Sequence, residues 1–273
     1  VEAASTGKLS VTGYQDYNDA QKILKEVNKY RKKNGRKALK MDRGLTNSAI
    51  MRGFETTIYI PETSPHRRPN GKLSKSINKK IIYENCAQSA GTTPKQIVKG
   101  WINSSTHRKG LLLSNAKSVG VAAVTVVSRD GYEANTWVLD FSSSKAKKVE
   151  KSKARKQFTK NIVTKNSYLK KSYLKLDSRY GTIWETEKMQ MKPTYQGKMM
   201  KEYGVYPTVI NTSSFTSWKS SNPSVASVDS NGRITGNKAG TATISAKLKT
   251  GTKITISKKI KVVPTNQQID PWE

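Results

Sequence analysis

The sequence predicts two folded modules of different class, an α+β domain in the first half and an all-β sandwich in the second. Three observations carry this reading. Residues up to about 144 show helix-period apolar stripes followed by two adjacent strands. Residues from about 161 show only short β-prone runs divided by turn residues. Between them lies a lysine-dense stretch without periodicity. The expected boundaries are a first domain over 1–144, a basic linker over 145–160, an all-β domain over 161–264 and a tail over 265–273.

Tyr17, Ala20, Ile23, Leu24, Val27 and Tyr30 recur at helical spacing, and Asn34-Gly35 supplies the stop. A second helix is predicted over about Asp42–Ile58, with Leu45, Ala49 and Gly53 on one line and Ile50 and Phe54 beside it. Ile60-Pro61 ends that helix, and the prolines and glycines from Pro61 to about Asn78 read as loop. Thr93-Pro94-Lys95-Gln96 offers a capping box with proline at the first helical position, ahead of the stripe Ile97, Val98, Trp101 and Ile102. Strands over Val119–Ser128 and about Glu133–Ser143 flank an Asp130-Gly131 turn. In the second half, runs such as Ser214–Trp218, Ser224–Val228, Ala242–Lys247 and Thr252–Val263 alternate with the turn signals Asn222-Pro223 and Asn231-Gly232.

Charge is the strongest bulk feature. The 273 residues carry a net charge of +31, spread evenly as +15 over 1–150 and +16 over 151–273. Such a chain adheres to polyanions by releasing their counterions, which makes teichoic acid, acidic glycans, anionic membrane and nucleic acid candidate partners. No helix-turn-helix, zinc-finger spacing or aromatic RNA-binding strand is present, so specific nucleic-acid reading is not expected. A lysine-rich surface that serves only solubility is the plain alternative. No apolar run reaches the roughly 20 residues of a membrane span, so no transmembrane segment is expected. The chain starts at Val1 without a hydrophobic leader, which leaves a removed signal peptide and a trimmed terminus both open. Asp270-Pro271-Trp272-Glu273 is not an LPxTG-type ending, so sortase anchoring is not indicated. A single cysteine, Cys86, excludes an intramolecular disulfide and reads as a small buried hydrophobe.

Groups that carry chemistry are few. His66 lies in Ser64-Pro65-His66-Arg67-Arg68-Pro69-Asn70-Gly71, His107 in Trp101–Arg108, and Glu84 between them in Tyr83-Glu84-Asn85-Cys86-Ala87. Two imidazoles and a carboxylate could hold a divalent cation with one position open to water, or serve as acid and base in a polar cleft. Unremarkable hydrogen-bonded histidines are the plain reading. Nucleophilic catalysis is disfavoured, because no serine is tied by a motif to either histidine and Cys86 has no activating neighbour in sequence.

These segments resemble a bacterial domain of the CAP superfamily (SCP/PR-1-like, YkwD-like), related to plant pathogenesis-related-1 and cysteine-rich secretory proteins. The resemblance rests on Asn28–Arg31, Arg52–Glu55, Pro65–Gly71, Tyr83–Ala87, Trp101–Leu112 with Asn115, Val119–Val121 and Trp137–Phe141, in unbroken order over roughly 15–143. It implies an α-β-α sandwich with a central antiparallel sheet and an open cleft, where His66, Glu84 and His107 are the candidate metal ligands for a divalent cation such as zinc. The same three are the candidate catalytic groups if the domain is an enzyme. The family's second acid falls where this chain has Asn103-Ser104, so the ligand set is one short. Tyr83 replaces the family glycine and Cys86 its isoleucine. Tyr83 is expected to narrow the cleft or set a phenol at its lip, with Asn85, Asn103 and Ser104 as further lining. Glu55 is expected to pair with an arginine.

Trp218–Asp229, Ser230–Gly236 and Ala239–Ile244 resemble the type-2 bacterial Ig-like (BIG2) signature, with Val225, Val228, Ile234 and Ile244 pointing inward. Trp218 reads as a core tryptophan rather than a ligand platform. The two resemblances together imply a secreted, extracellular, envelope-associated bacterial protein. Its cleft would bind an unidentified lipid or peptide, and its Ig-like domain and cationic surface would adhere to cell-wall polymers. A metal-assisted hydrolase, with Glu84 as base and the histidines holding the ion, is the alternative.

Overall fold

The computed structural model describes residues 5–58 and 66–269, which form two compact units. Residues 12–127 and 133–160 make the first unit. Residues 5–11, 128–132 and 161–269 belong to the second. Pro61 and Pro65, from the loop expected over 61–78, and the last residues of the tail lie outside the described residues.

The chain opens with strand β1 (Thr6–Asp16), then α1 (Tyr17–Lys33), a short β2 (Lys40–Met41) and α2 (Arg43–Ile58). Strand β3 (Tyr83–Ser89) precedes α3 (Pro94–Asn103) and α4 (Ser105–Leu111). Strands β4 (Ser118–Val127), β5 (Glu133–Ser142) and β6 (Arg155–Lys165) follow. The sheet runs β3-β5-β4-β1-β6, with β2 added parallel to β4, so β3 is an outer strand. Helices α1, α2 and α3 match the three periodic segments of the sequence. The third helix, however, breaks at Ser104, where a new turn starts and carries His107 away from the α3 axis.

Helices cover both faces of the sheet, which makes the unit an α-β-α sandwich. Ala20, Ile23 and Val27 of α1 join Ile97, Val98 and Trp101 of α3 over Val119, Val121, Trp137, Leu139 and Phe141. Helix α2 lies on the other face. Strand β4 is therefore buried at nine successive positions and reads as a continuous apolar run. Gly120 sets the approach of α2: a Cβ there would sit 2.2 Å from the Leu45 carbonyl oxygen, which belongs to backbone and cannot swing away.

Strand β1 is not among the elements expected from sequence, and its glycines are residues that weaken a strand. One of them, Gly13, is a close approach instead, since a Cβ would meet the Thr125 carbonyl at 2.7 Å. Residues 145–160, expected as a linker, are grouped with the first unit, and the last six of them begin β6. The reason is a set of backbone ties. Asp42 accepts from both Leu45 N at the start of α2 and Lys147 N, while Glu150 accepts from Arg43 Nε at 3.0 Å and Glu150 N donates to Met41 O. High lysine content hides these contacts from a compositional reading.

The second unit is built of short strands: β7 (Leu174–Asp177), β8 (Thr182–Trp184), β9 (Lys188–Gln190) and β10 (Lys192–Tyr195). A one-turn α5 (Lys198–Glu202) leads to β11 (Thr208–Val209), β12 (Phe215–Ser220), β13 (Ala226–Val228) and β14 (Arg233–Gly236). Strands β15 (Gly240–Leu248) and β16 (Thr255–Val263) close it. They form a four-stranded sheet β12-β15-β16-β8 and two three-stranded sheets, β13-β14-β9 and β11-β10-β7. Ala242, Ile244 and Ala246 of β15 and Ile256, Ile260 and Val262 of β16 fill the interior with Val225, Ala226 and Ile234. Val228 is half-buried, as is Trp218, whose ring lies over the Asn231-Gly232 turn and meets Phe215 edge-on.

Two glycine substitutions test the packing of the first unit. Gly120→Ala should destabilise by about 2–3 kcal/mol or more, because Leu45 backbone must move. Gly100→Ala, an exposed position inside α3 with no atom within 4 Å of a new Cβ, should stabilise by about 0.5–1 kcal/mol. Urea unfolding of both variants reads the two signs.

Candidate functional site

Two asparagine and arginine positions on α1 prepare the site from a distance. Asn28 exchanges hydrogen bonds with Leu39 N and O, which fixes the chain entering β2. Arg31 is fully buried and spends its guanidinium on carbonyls: Lys37 O, Leu111 O at 2.7 Å and Leu113 O at 3.1 Å. It thereby satisfies the free carbonyl end of α4, the helix that carries His107.

Strand β3 divides the remaining residues by parity, since successive side chains point to opposite faces. Tyr83 and Asn85 face α4: the Tyr83 hydroxyl donates to Thr106 O, and Asn85 Nδ2 donates to His107 O at 3.0 Å. The Tyr83 ring packs against Gly110, where a Cβ would be only 2.7 Å away. Glu84 faces α2, where Arg52 is waiting. Arg52 Nε donates to Glu84 Oε2 at 2.8 Å and Nη2 to Oε1 at 3.1 Å, a two-pronged pair with no exposed surface on Arg52. The same guanidinium reaches Glu55 Oε2 at 2.8 Å through Nη1. Arg68, on the chain segment after His66, completes the network by donating to Glu55 Oε1. Glu55 thus holds two arginines.

His66 Nδ1 lies 2.9 Å from Glu84 Oε1. His107 Nδ1 lies 2.9 Å from Ser104 Oγ, with Ser104 at the break between α3 and α4 and exposed Asn103 just before it. Burial, then the neighbouring charge of His66, lowers the His107 pKa, so its ring is neutral at neutral pH. His107 is not among the residues whose donor atoms the described structure gathers with His66 and Glu84. Burial pushes the Glu84 carboxyl up, but hydrogen bonds from His66 and Arg52 and the Arg52 charge outweigh it and hold it at about 2.

Asp140 is the member of this cluster that sequence reasoning missed. It sits directly opposite Glu84 in the β3–β5 register, is fully buried, and neither of its oxygens accepts a hydrogen bond among the described residues. Burial first, and the Glu84 charge second, raise its pKa well above the carboxylate range, so it is held as the neutral acid beside Glu84. A signal existed in the sequence: Asp140 is the lone polar residue in the run Trp137–Phe141. Cys86, expected as a buried hydrophobe, is instead half-buried beside a charge: it lies two residues along the same face as Glu84, and burial and Glu84 push its thiol up.

His66, Glu84 and Cys86 present three donor atoms within 4.8 Å of one another, an arrangement that could share a metal ion. As they stand, the residues do not fit a divalent cation. His66 and Glu84 are in direct contact, both Glu84 oxygens already accept from Arg52, and the thiol keeps its proton. An ion would require His66 to turn away, Arg52 to withdraw and Cys86 to ionise.

Residues 24–141 match the family model described as the cysteine-rich secretory protein family, CAP, and residues 196–261 match that of the bacterial Ig-like domain, group 2. Over 119 residues the chain is 33% identical to the Bacillus subtilis (strain 168) protein YkwD, itself described as uncharacterized. That match covers 42% of this chain and 44% of the relative, so the chain spans less than half the relative's length. An outer surface protein of Borrelia burgdorferi is similar with 17% identity and a TM-score of 0.35, over 48% of this chain and 98% of that one. A Bacillus anthracis extracellular protein containing an SCP domain is similar with 18% identity and a TM-score of 0.34, over 45% of this chain and 41% of that one.

Asp140→Asn tests the buried acid through pH. A group whose folded pKa is raised stabilises fully below its unfolded value near 4, and that stability is lost as pH rises toward the folded value. Wild type should therefore lose stability relative to the variant by up to about 1.4 kcal/mol per pH unit above pH 4. Urea unfolding of both proteins between pH 4 and 8 measures the gap, which should widen steadily with pH.

Proposed function

We propose that this chain, which carries a CAP domain over residues 24–141 and a group 2 bacterial Ig-like domain over residues 196–261, is a secreted bacterial envelope protein that binds a ligand in the cleft beside His66 and His107. Its cationic surface and Ig-like domain hold it on anionic wall polymers. Among the described residues no helix is long and apolar enough to cross a membrane.

The observation that carries the binding reading is the commitment of Glu84. A carboxylate buried against Arg52 and held at about pKa 2 is a weak base at neutral pH. What the cleft offers a ligand is polar recognition: a neutral imidazole at His107, the half-buried ring of His66, and the exposed amide of Asn103. Such groups suit a ligand with hydrogen-bonding oxygens, as in a lipid headgroup or a peptide backbone. Zinc-assisted hydrolysis is the second reading, favoured by the grouping of His66, Glu84 and Cys86. It demands the rearrangement described above.

Two measurements test these readings. Pools of extracted lipids and of peptides, offered to the full chain and analysed by native mass spectrometry, should yield a retained species. The His66→Ala, His107→Ala double variant should weaken its binding about tenfold, as loss of one or two hydrogen bonds of about 1 kcal/mol each predicts. Stoichiometric zinc uptake that disappears in the double variant, together with peptide cleavage, would replace the binding reading with the hydrolase. Separately, retention on wall teichoic acid should fall steeply with salt, and retention that is flat from low to high salt would leave the charge to solubility alone.

A further inference from the structure

The four-stranded sheet of the second unit has an outward face whose composition is one-sided. Along β15, Ala242, Ile244 and Ala246 point inward, and along β16, Ile256, Ile260 and Val262 do the same. The alternate positions face out. They hold Lys247, Lys259 and Lys261, with threonine or serine at the other outward positions between Thr241 and Lys261. Lys219 of β12 lies opposite Ser245 and adds a fourth lysine. No acidic residue occupies an outward position of β12, β15 or β16. No ion pair holds any of the four lysines among the described residues. Lys258, on the inward side, behaves differently and reaches Asp177 at 3.4 Å.

We infer that this face binds a linear polyol-phosphate polymer, its lysines pairing with successive phosphates and its hydroxyls with the polyol oxygens. The inference rests on the polyanion reading above and locates it. Charge complementarity is the first argument: four uncompensated cations lie on adjacent strands about 4.8 Å apart, with alternate residues about 6.8 Å apart along each strand. Shape and chemistry supply the second. Outward positions of β15 and β16 hold no aromatic ring, and the exposed Trp184 lies on the edge strand β8 with its indole N–H donated to Gln267 O, so nucleobases and sugar rings find no stacking platform between the lysines. A flexible chain without planar groups needs none. Short threonine and serine side chains leave the face low, so a polymer can lie along it and meet lysines from three strands.

The test uses the full chain and three probes: poly(glycerol phosphate), single-stranded DNA and heparin, compared at equal charge. One variant combines Lys219→Gln, Lys247→Gln, Lys259→Gln and Lys261→Gln. A charge-matched control combines Lys72→Gln, Lys75→Gln, Lys79→Gln and Lys80→Gln, exposed lysines of the first unit, three of which line a basic groove of about 530 Å³. For poly(glycerol phosphate), the slope of log affinity against log salt should fall by about 3 in the sheet variant, roughly 0.7 per lost contact. Its affinity should fall by more than about tenfold, and the control's by less than about threefold. Unfolding midpoints identify any variant that fails to fold, and then the single changes Lys259→Gln and Lys261→Gln should each lower the slope by about 0.7. A loss in the control as large as in the sheet variant overturns this placement and leaves polyanion binding standing. Absence of binding by wild type at low salt removes both. DNA or heparin bound as tightly as poly(glycerol phosphate) overturns the choice of polymer.

Discussion

The first unit depends on one buried guanidinium. Arg52 has no exposed surface, and removing such a group from water is costly unless it is paired on all sides. Glu84 takes it in two-pronged fashion from β3, and Glu55 takes its remaining edge from the next turn of α2. With Asp140 neutral, Arg52 and Arg68 face Glu55 and Glu84 at formal balance. That balance fixes more than energy. Arg68 is held by Glu55, and His66, two residues earlier, is thereby kept beside Glu84. The position of His66 follows from the demand that a buried cation be neutralised.

The surroundings of His107 are set by different means. Arg31 and Asn85 fix α4 entirely through backbone carbonyls, and the parity of β3 keeps this arrangement separate from the charged one. A buried ionic network therefore lies under one imidazole and a neutral hydrogen-bonded scaffold under the other. His66 borders an anion, and His107 borders a serine hydroxyl and loses basicity. The two histidines, similar in sequence context, are chemically distinct because the strand between them has two faces.

Much of the fold was legible from periodicity. Helices α1, α2 and α3 follow from apolar spacing, capping residues and a proline, all of which act locally. Strands β4 and β5 follow from the hydrophobic run and the Asp-Gly turn. Less legible was any element whose logic is tertiary. Gly13 resembles a breaker until Thr125 is placed against it, and lysines 145–160 resemble a linker until Asp42 and Glu150 are seen to tie them. For the candidate site, motif order singled out His66, Glu84 and His107. It was silent on Arg52 as the organiser of Glu84 and His66, and on Asp140, whose proton is held by burial that no linear pattern records.

The lone thiol gains a use from its surroundings. Cys86 shares a strand face with Glu84, and both burial and that carboxylate keep it protonated. A thiol reacts with alkylating agents as its thiolate, so the raised pKa slows the reaction of this sulfur. Cys86 is half-buried, so the rate of labelling reports how strongly its surroundings keep the proton on the sulfur. With a single cysteine in 273 residues, no second sulfur confuses the signal. The one sulfur of the chain thus serves as a reporter of the charge held beside it.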